Sequence, residues 1–115
     1  MNPFTLTDEM ISDILVAAFE GGINYWAANI GVVGGWPDGA EYASDIPTRG
    51  GSLLITLDPE LDESTYVLDL ARIKRGIRKA AELQGKTPLA FYEDHDATSA
   101  DLAVQFALFN EVVYG

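Results

Sequence analysis

The chain has 115 residues, no cysteine and a formal net charge of −11. Its length suits one domain with a single core, and a hydrophobic share of 48% argues against wholesale disorder. The lack of cysteine excludes a disulfide framework, thiolate chemistry and zinc–thiolate sites. The acidic balance argues against direct nucleic-acid binding by the surface as a whole, because phosphate contacts come from Lys and Arg.

The sequence carries no sign of membrane insertion or secretion. No apolar run approaches the roughly 20 residues that span a bilayer, and the start of the chain lacks the regions of a signal peptide. We therefore expect a cytoplasmic protein without a membrane partner. Six of the seven basic residues lie within residues 72–86, and the seventh is Arg49. This cluster indicates either a solvated helix face or a local site for an anion or partner.

The first elements are a helix, a strand and a long loop. Apolar residues at helical spacing predict a helix over residues 8–20, with Thr7 as its N-cap. Gly21 and Gly22 follow and predict its end through a left-handed glycine. Aromatic and β-branched residues then predict a strand over 24–33. Glycines and prolines make residues 34–51 a long loop, which is typical of functional or mobile segments.

The second half of the chain predicts a hairpin followed by helices. Residues 52–57 and 65–70 predict two antiparallel strands. Asp69 then suits the N-cap of a helix over about 70–84, in which Gly76 would permit close approach of another backbone. Residues 88–92 fit either a short strand or a helical turn.

A last helix, from about Thr98 to Asn110, is apolar nearly all round, which is typical of a buried central helix. Thr98 and Asp101 have capping-box spacing at its start. Together the elements predict one α+β domain, with a small antiparallel three-stranded sheet packed by about three helices.

A polar and aromatic block follows the first helix. Tyr25 and Trp26 could stack a base or another flat ring, and Asn24, close to Glu20, could bind its edge. The alternative is that Trp26 belongs to the core and Asn24 caps the loop. A strand would also send Tyr25 and Trp26 to opposite faces, so that only one could contact a ligand.

An acidic loop offers weak candidates for metal ligands. Asp94, His95, Asp96 and Asp101 supply oxygen and imidazole donors, but their spacing matches no EF-hand loop or zinc-protease helix. The alternative is a solvated loop that caps the last helix. We expect neither a metal nor a cofactor.

Two further residues are candidates for binding. Gln105 is a lone amide in an apolar helix and must find hydrogen-bond partners, either by fastening the loop at Asn24 or by facing a pocket. Arg49, beside two glycines, could hold a phosphate or carboxylate. No phosphate-binding or nucleophile motif is present, so the sequence gives no support for an enzyme.

Two blocks of sequence resemble a family of small proteins encoded by tailed bacteriophages and prophages. They are residues 11–26, which contain E-G-G-x-N-Y-W, and residues 96–115, which contain D-x-T-x-A-D-x-x-x-Q and end in V-Y-G. Residues 39–44 form a third, shorter stretch that resembles the same family. The resemblance implies an accessory phage protein in a bacterial cytoplasm and implies no activity.

The leading hypothesis is a non-catalytic phage protein that acts on its host, for example against a defence system. It would sequester a small nucleotide-like signal, or its acidic surface would bind a host protein by imitating DNA. The rival is a small metal-dependent hydrolase that uses Asp94, Asp96 and Asp101. The apolar segment 106–114 also predicts a homo-oligomer.

Overall fold

The computed structural model describes residues 2–62 and 64–115. Within these residues the chain folds into four helices and a three-stranded antiparallel sheet, which confirms the predicted α+β class. The helices are α1 (Asp8–Ala17), α2 (Leu70–Leu83), α3 (Pro88–Glu93) and α4 (Ala97–Phe109). The strands are β1 (Ala27–Val32), β2 (Leu53–Leu57) and β3 (Thr65–Leu68).

Helix α1 begins as predicted and ends differently. The Thr7 hydroxyl accepts a hydrogen bond from the Met10 amide at 3.2 Å. At its other end α1 passes into a single π-helical turn, Ala18–Gly22. The predicted left-handed glycine is wrong, because neither glycine of this turn has a positive φ. Gly22 is instead required by packing, since a Cβ there would lie 2.6 Å from the Ala97 carbonyl oxygen at the start of α4.

The sheet has the order β1-β2-β3, with the predicted hairpin formed by β2 and β3. Strand β1 begins only at Ala27, because the preceding residues form a turn in which the Ala27 amide donates to the Ile23 carbonyl at 2.8 Å. The register against β2 shifts between Ala27 and Asn29, so β1 starts with a bulge. Alternate residues of β2 are buried, and this face of the sheet joins the core.

Helices α2 and α4 form the closest helix pair of the fold. Asp69 caps α2 by accepting from the Arg72 amide at 2.9 Å. Gly76 is buried on α2, and a Cβ there would lie 2.8 Å from the Ala107 amide nitrogen of α4. This confirms the predicted close approach of two backbones. Helix α4 is mostly buried, as its apolar sequence predicts.

The start of α4 corrects the predicted capping box. Asp96, not Thr98, is the N-cap: its carboxylate accepts from the Ser99 amide, and the Ser99 hydroxyl accepts from the Asp96 amide, both at 2.9 Å. The carboxylate of Asp101 therefore plays no part in the cap and turns inward. Residues 88–92, ambiguous in the sequence, form most of helix α3 (Pro88–Glu93). Within the described part of the chain, every helix is too short or too polar to cross a bilayer.

Candidate functional site

Asp101 is the point at which residues 11–26 and residues 96–115 meet. Its carboxylate is buried on α4 and accepts three hydrogen bonds. The Tyr25 hydroxyl donates to Oδ2 at 2.5 Å, and the Trp26 indole donates to Oδ1 at 2.7 Å. The Gln105 amide donates to Oδ1 at 2.9 Å. Charge-assisted bonds of this kind are about twice as strong as neutral ones, so they offset the cost of burying a carboxylate.

Gln105 extends these contacts to the end of the chain. Its side-chain oxygen accepts from the amides of Val113 and Tyr114, at 2.8 and 2.9 Å. Its side-chain nitrogen also donates to the Tyr114 carbonyl at 3.1 Å. We call Tyr25, Trp26, Asp101, Gln105 and this backbone the Asp101 network. Gln105 thus has a fastening role, but it fastens the last residues and not Asn24.

Trp26 lies in the core, which favours the alternative that it is a core side chain and does not stack on a ligand. It has no exposed surface, and its ring stacks on Tyr114 with centroids 5.6 Å apart and an interplanar angle of 15°. Phe109 packs against it at 5.5 Å. The prediction that Tyr25 and Trp26 part to opposite faces is wrong, because both lie in the turn before β1 and both reach Asp101.

Tyr25 connects the network to a surface cleft. The side chain is 52% exposed although its hydroxyl is bound to Asp101. Beside it is a cleft of about 500 Å³, which we call the tyrosine cleft. This volume lies within the range of about 300–1,000 Å³ that is usual for small-molecule sites. Its walls include Gly21, Gly22, Tyr25, Thr98, Asp101 and Val112.

The chemistry of the tyrosine cleft is mainly apolar. Among the described residues that line it, none is Lys or Arg. Burial, the hydrogen bond to Asp101 and the charge of that carboxylate raise the pKa of Tyr25 to about 12. The phenol therefore stays protonated at neutral pH. The cleft can offer two aromatic side chains, Tyr25 and Tyr114, together with the Thr98 hydroxyl and glycine backbone.

The other residues of the predicted binding site are not all in the cleft. Glu20 and Asn24 are exposed, in the π-helical turn and in the turn that follows. Arg49 lies elsewhere, in a depression with Tyr42 and Asp45, where its guanidinium covers Gly39. The structure thus brings Tyr25, Trp26 and Gln105 together and leaves Arg49 apart.

The side chains of the acidic loop each contact a different partner. Asp94 forms a salt bridge with Lys86 at 3.3 Å, and the His95 ring stacks on Tyr92 at 5.3 Å. Asp96 caps α4, and hydrogen bonding to the Ser99 amide lowers its pKa. Within residues 2–62 and 64–115, no three acidic or histidine side chains are grouped so that they could hold a metal ion.

No family model, curated protein or solved structure matches the chain at a significant level. Function must therefore be inferred from the chemistry of the site.

The role of Asp101 as an acceptor is the part of the site that sequence reasoning missed. The sequence presents this residue only as a metal ligand or a capping residue. A signal was present, because Asp101 and Gln105 are four residues apart and so share one face of an apolar helix. Two polar side chains on one buried face indicate a shared network, since each must find partners.

Proposed function

We propose that the protein is a non-catalytic binding protein and that the tyrosine cleft holds its ligand. The observation that carries this proposal is the arrangement of Tyr25, whose hydroxyl is fixed by Asp101 while half of the side chain stays exposed beside the cleft. A ring held in this way loses little conformational freedom when a ligand stacks on it, which favours affinity.

The residues that line the tyrosine cleft indicate which class of ligand it would bind. A flat ring would stack on Tyr25, and Thr98 would supply a hydrogen bond to its edge. A nucleotide-like molecule would therefore bind through its base, because the described lining contains no cation for its phosphates. The π-helical turn beside the cleft adds support, since such turns occur frequently at functional sites.

The biological setting comes from the resemblance to phage proteins. In that setting the protein would act in the cytoplasm of a bacterial host and would remove a small signalling molecule from a defence system. Binding alone would suffice for this task. The Asp101 network fits a non-catalytic role, because the Asp101 carboxylate already accepts hydrogen bonds from three donor groups of the fold.

Isothermal titration calorimetry with a panel of nucleobases, nucleosides and cyclic or linear nucleotides tests the proposal. We expect the wild type to bind at least one member, and Tyr25→Ala to weaken that binding by about tenfold, since loss of one stacking contact costs about 1–3 kcal/mol. Tyr42→Ala is the matched control, because Tyr42 is 68% exposed and lies outside the cleft. Equal binding by both variants, or no binding by the wild type, would contradict the proposal.

A second candidate function is binding of a host protein by the acidic surface. The observation that favours it is a depression around the exposed Tyr42, whose rim includes the carboxylates of Asp8, Glu9, Asp13 and Asp45. Arg49 lies among them and interrupts the acidic field, which weakens the comparison with DNA. A pull-down from host lysate would test it: a protein retained by the wild type and lost with Asp8→Lys/Asp13→Lys would support this candidate.

The hydrolase hypothesis receives no support from side-chain placement. Of its three carboxylates, Asp94 pairs with Lys86, Asp96 caps a helix and Asp101 accepts from the network. Calorimetry with Mg²⁺, Mn²⁺ and Zn²⁺ remains the direct test, and tight binding of any of them would revive the hypothesis.

A further inference from the structure

A second concavity lies at the start of the chain and shares no lining residue with the tyrosine cleft. We call it the α2 groove. Its apolar lining includes Leu6, Ile11, Ile77 and Pro88, and Phe4 stands at its edge with 72% of its surface exposed.

The wall of the α2 groove formed by the first residues is held in place by the fold. The Leu89 amide at the start of α3 donates to the Pro3 carbonyl at 2.9 Å, which ties the segment to the fold. Within the segment, the Phe4 amide donates to the Asn2 side chain at 2.9 Å. The groove is therefore present before any partner arrives, and binding would not require ordering of this segment.

Two cations border this apolar lining. Lys74 and Arg78 are four residues apart on α2, so they project from the same face, and both are exposed. Within residues 2–62 and 64–115, neither forms a salt bridge, whereas Arg72 pairs with Asp69 and Lys86 with Asp94. Arg49, Arg75 and Lys79 also form no salt bridge among these residues, so what distinguishes Lys74 and Arg78 is their position beside an apolar groove in a chain of net charge −11.

We propose that the α2 groove binds an acidic and apolar segment of a partner protein. One apolar side chain of the segment would enter the groove, and flanking Asp or Glu residues would face Lys74 and Arg78. The cavity measures about 200 Å³, below the range of about 300–1,000 Å³ that is usual for small-molecule ligands. This size suits a single side chain of a larger partner.

Charge decides which partner can approach. The acidic body of the protein repels nucleic acid, whose many phosphates cannot all be placed on one short cationic stripe. A short acidic segment differs because its few carboxylates can all lie beside Lys74 and Arg78, within the distance of about 8 Å over which charges interact at physiological ionic strength. The proposed surface is separate from the tyrosine cleft, and its binding does not depend on whether the cleft holds a nucleotide-like ligand.

Selection from a randomised dodecapeptide library by mRNA display tests the inference. We expect the wild type to enrich peptides in which an aromatic or leucine residue is flanked by Asp or Glu. The double variant Lys74→Glu/Arg78→Glu should bind an enriched peptide about tenfold more weakly, and the binding should also weaken when salt is raised. Phe4→Ser, which alters an exposed side chain, should weaken the same peptide several-fold.

The matched control is Arg49→Glu/Lys79→Glu, which makes the same change in net charge outside the groove. It should retain the enriched peptides. The inference is overturned if the two double variants lose binding equally, or if the enriched peptides lack acidic residues. It is also overturned if light scattering finds a doubled mass that only the groove variant halves, because the occupant would then be a second copy of this chain.

Discussion

At the scale of single residues, Asp101 determines how the candidate site is built. The Tyr25 hydroxyl, the Trp26 indole and the Gln105 amide all donate to its carboxylate. Donors that converge on one acceptor need a carboxylate, because a neutral amide has only one oxygen to offer.

The substitution Asp101→Asn should therefore destabilise the protein although it preserves the shape of the side chain. We expect a loss of about 2–4 kcal/mol in the free energy of unfolding, since charge-assisted bonds weaken and a buried donor loses its acceptor. Urea denaturation followed by circular dichroism measures the loss. Asp96→Asn is the control, because Asn caps a helix about as well as Asp and should cost little. Similar losses for the two variants would contradict this role of Asp101.

The titration of Tyr25 gives a pH-dependent prediction. Its pKa in the folded protein is raised to about 12, above the ordinary value of 10.0, first by burial and then by Asp101. A raised pKa means that the folded state holds the proton more tightly, so this stabilisation is complete below pH 10 and is lost as the pH rises towards 12. NMR titration of the Tyr25 ring should show the late deprotonation, and Asp101→Asn should shift it to lower pH. A midpoint near 10 in the wild type would contradict the contact.

At the scale of elements, the contact between α2 and α4 depends on Gly76. Alanine normally favours a helix over glycine by about 1 kcal/mol. Here Gly76→Ala should instead destabilise by about 1–3 kcal/mol, because the new methyl group meets the Ala103 carbonyl and the Ala107 amide and forces the helices apart.

Thermal unfolding measures this effect as a lower Tm. Gly21→Ala is the matched control, since a methyl group added at Gly21 would meet no atom within 4 Å and the residue has no positive φ. It should leave Tm unchanged or raise it slightly. A Tm that rises in Gly76→Ala as well would show that the two helices can separate without cost.

The elements also show which features the sequence could predict. N-caps depend on neighbouring residues, so the caps at Thr7 and Asp69 followed from the sequence. The turn at Tyr25 and Trp26 did not, because its partner Asp101 lies about 75 residues further along the chain. Local β-propensity predicts a strand there, and distant hydrogen bonds override it.

At the scale of the whole molecule, the charges divide between an acidic body and one basic segment of the chain. Six of the seven basic residues belong to residues 72–86, and this segment carries the cations of the α2 groove. The tyrosine cleft has none in its described lining. The protein therefore presents two concave surfaces of different chemistry, and variants of one should leave the other intact.

Homo-oligomerisation stays a prediction, and fewer apolar residues are available for it than the sequence suggested. Phe109 packs on Tyr66 and Trp26, so much of the apolar segment is used inside the chain. Val112 and Val113 remain 42% and 49% exposed. If they form the contact between copies, light scattering should give a mass above 12.5 kDa that Val113→Asp lowers to that value. A wild-type mass of 12.5 kDa would contradict the prediction.

The central claim is that two distant stretches of sequence form one ligand site in which Tyr25 stacks on the ligand. Native mass spectrometry of the protein purified from a bacterial host tests it most directly, with wild type, Tyr25→Ala and Tyr42→Ala prepared in parallel. We predict that the wild type and Tyr42→Ala carry the same small-molecule adduct, with the mass of a molecule that contains a nucleobase. We predict that Tyr25→Ala carries none. An adduct retained equally by Tyr25→Ala, or absent from all three proteins, would contradict the claim.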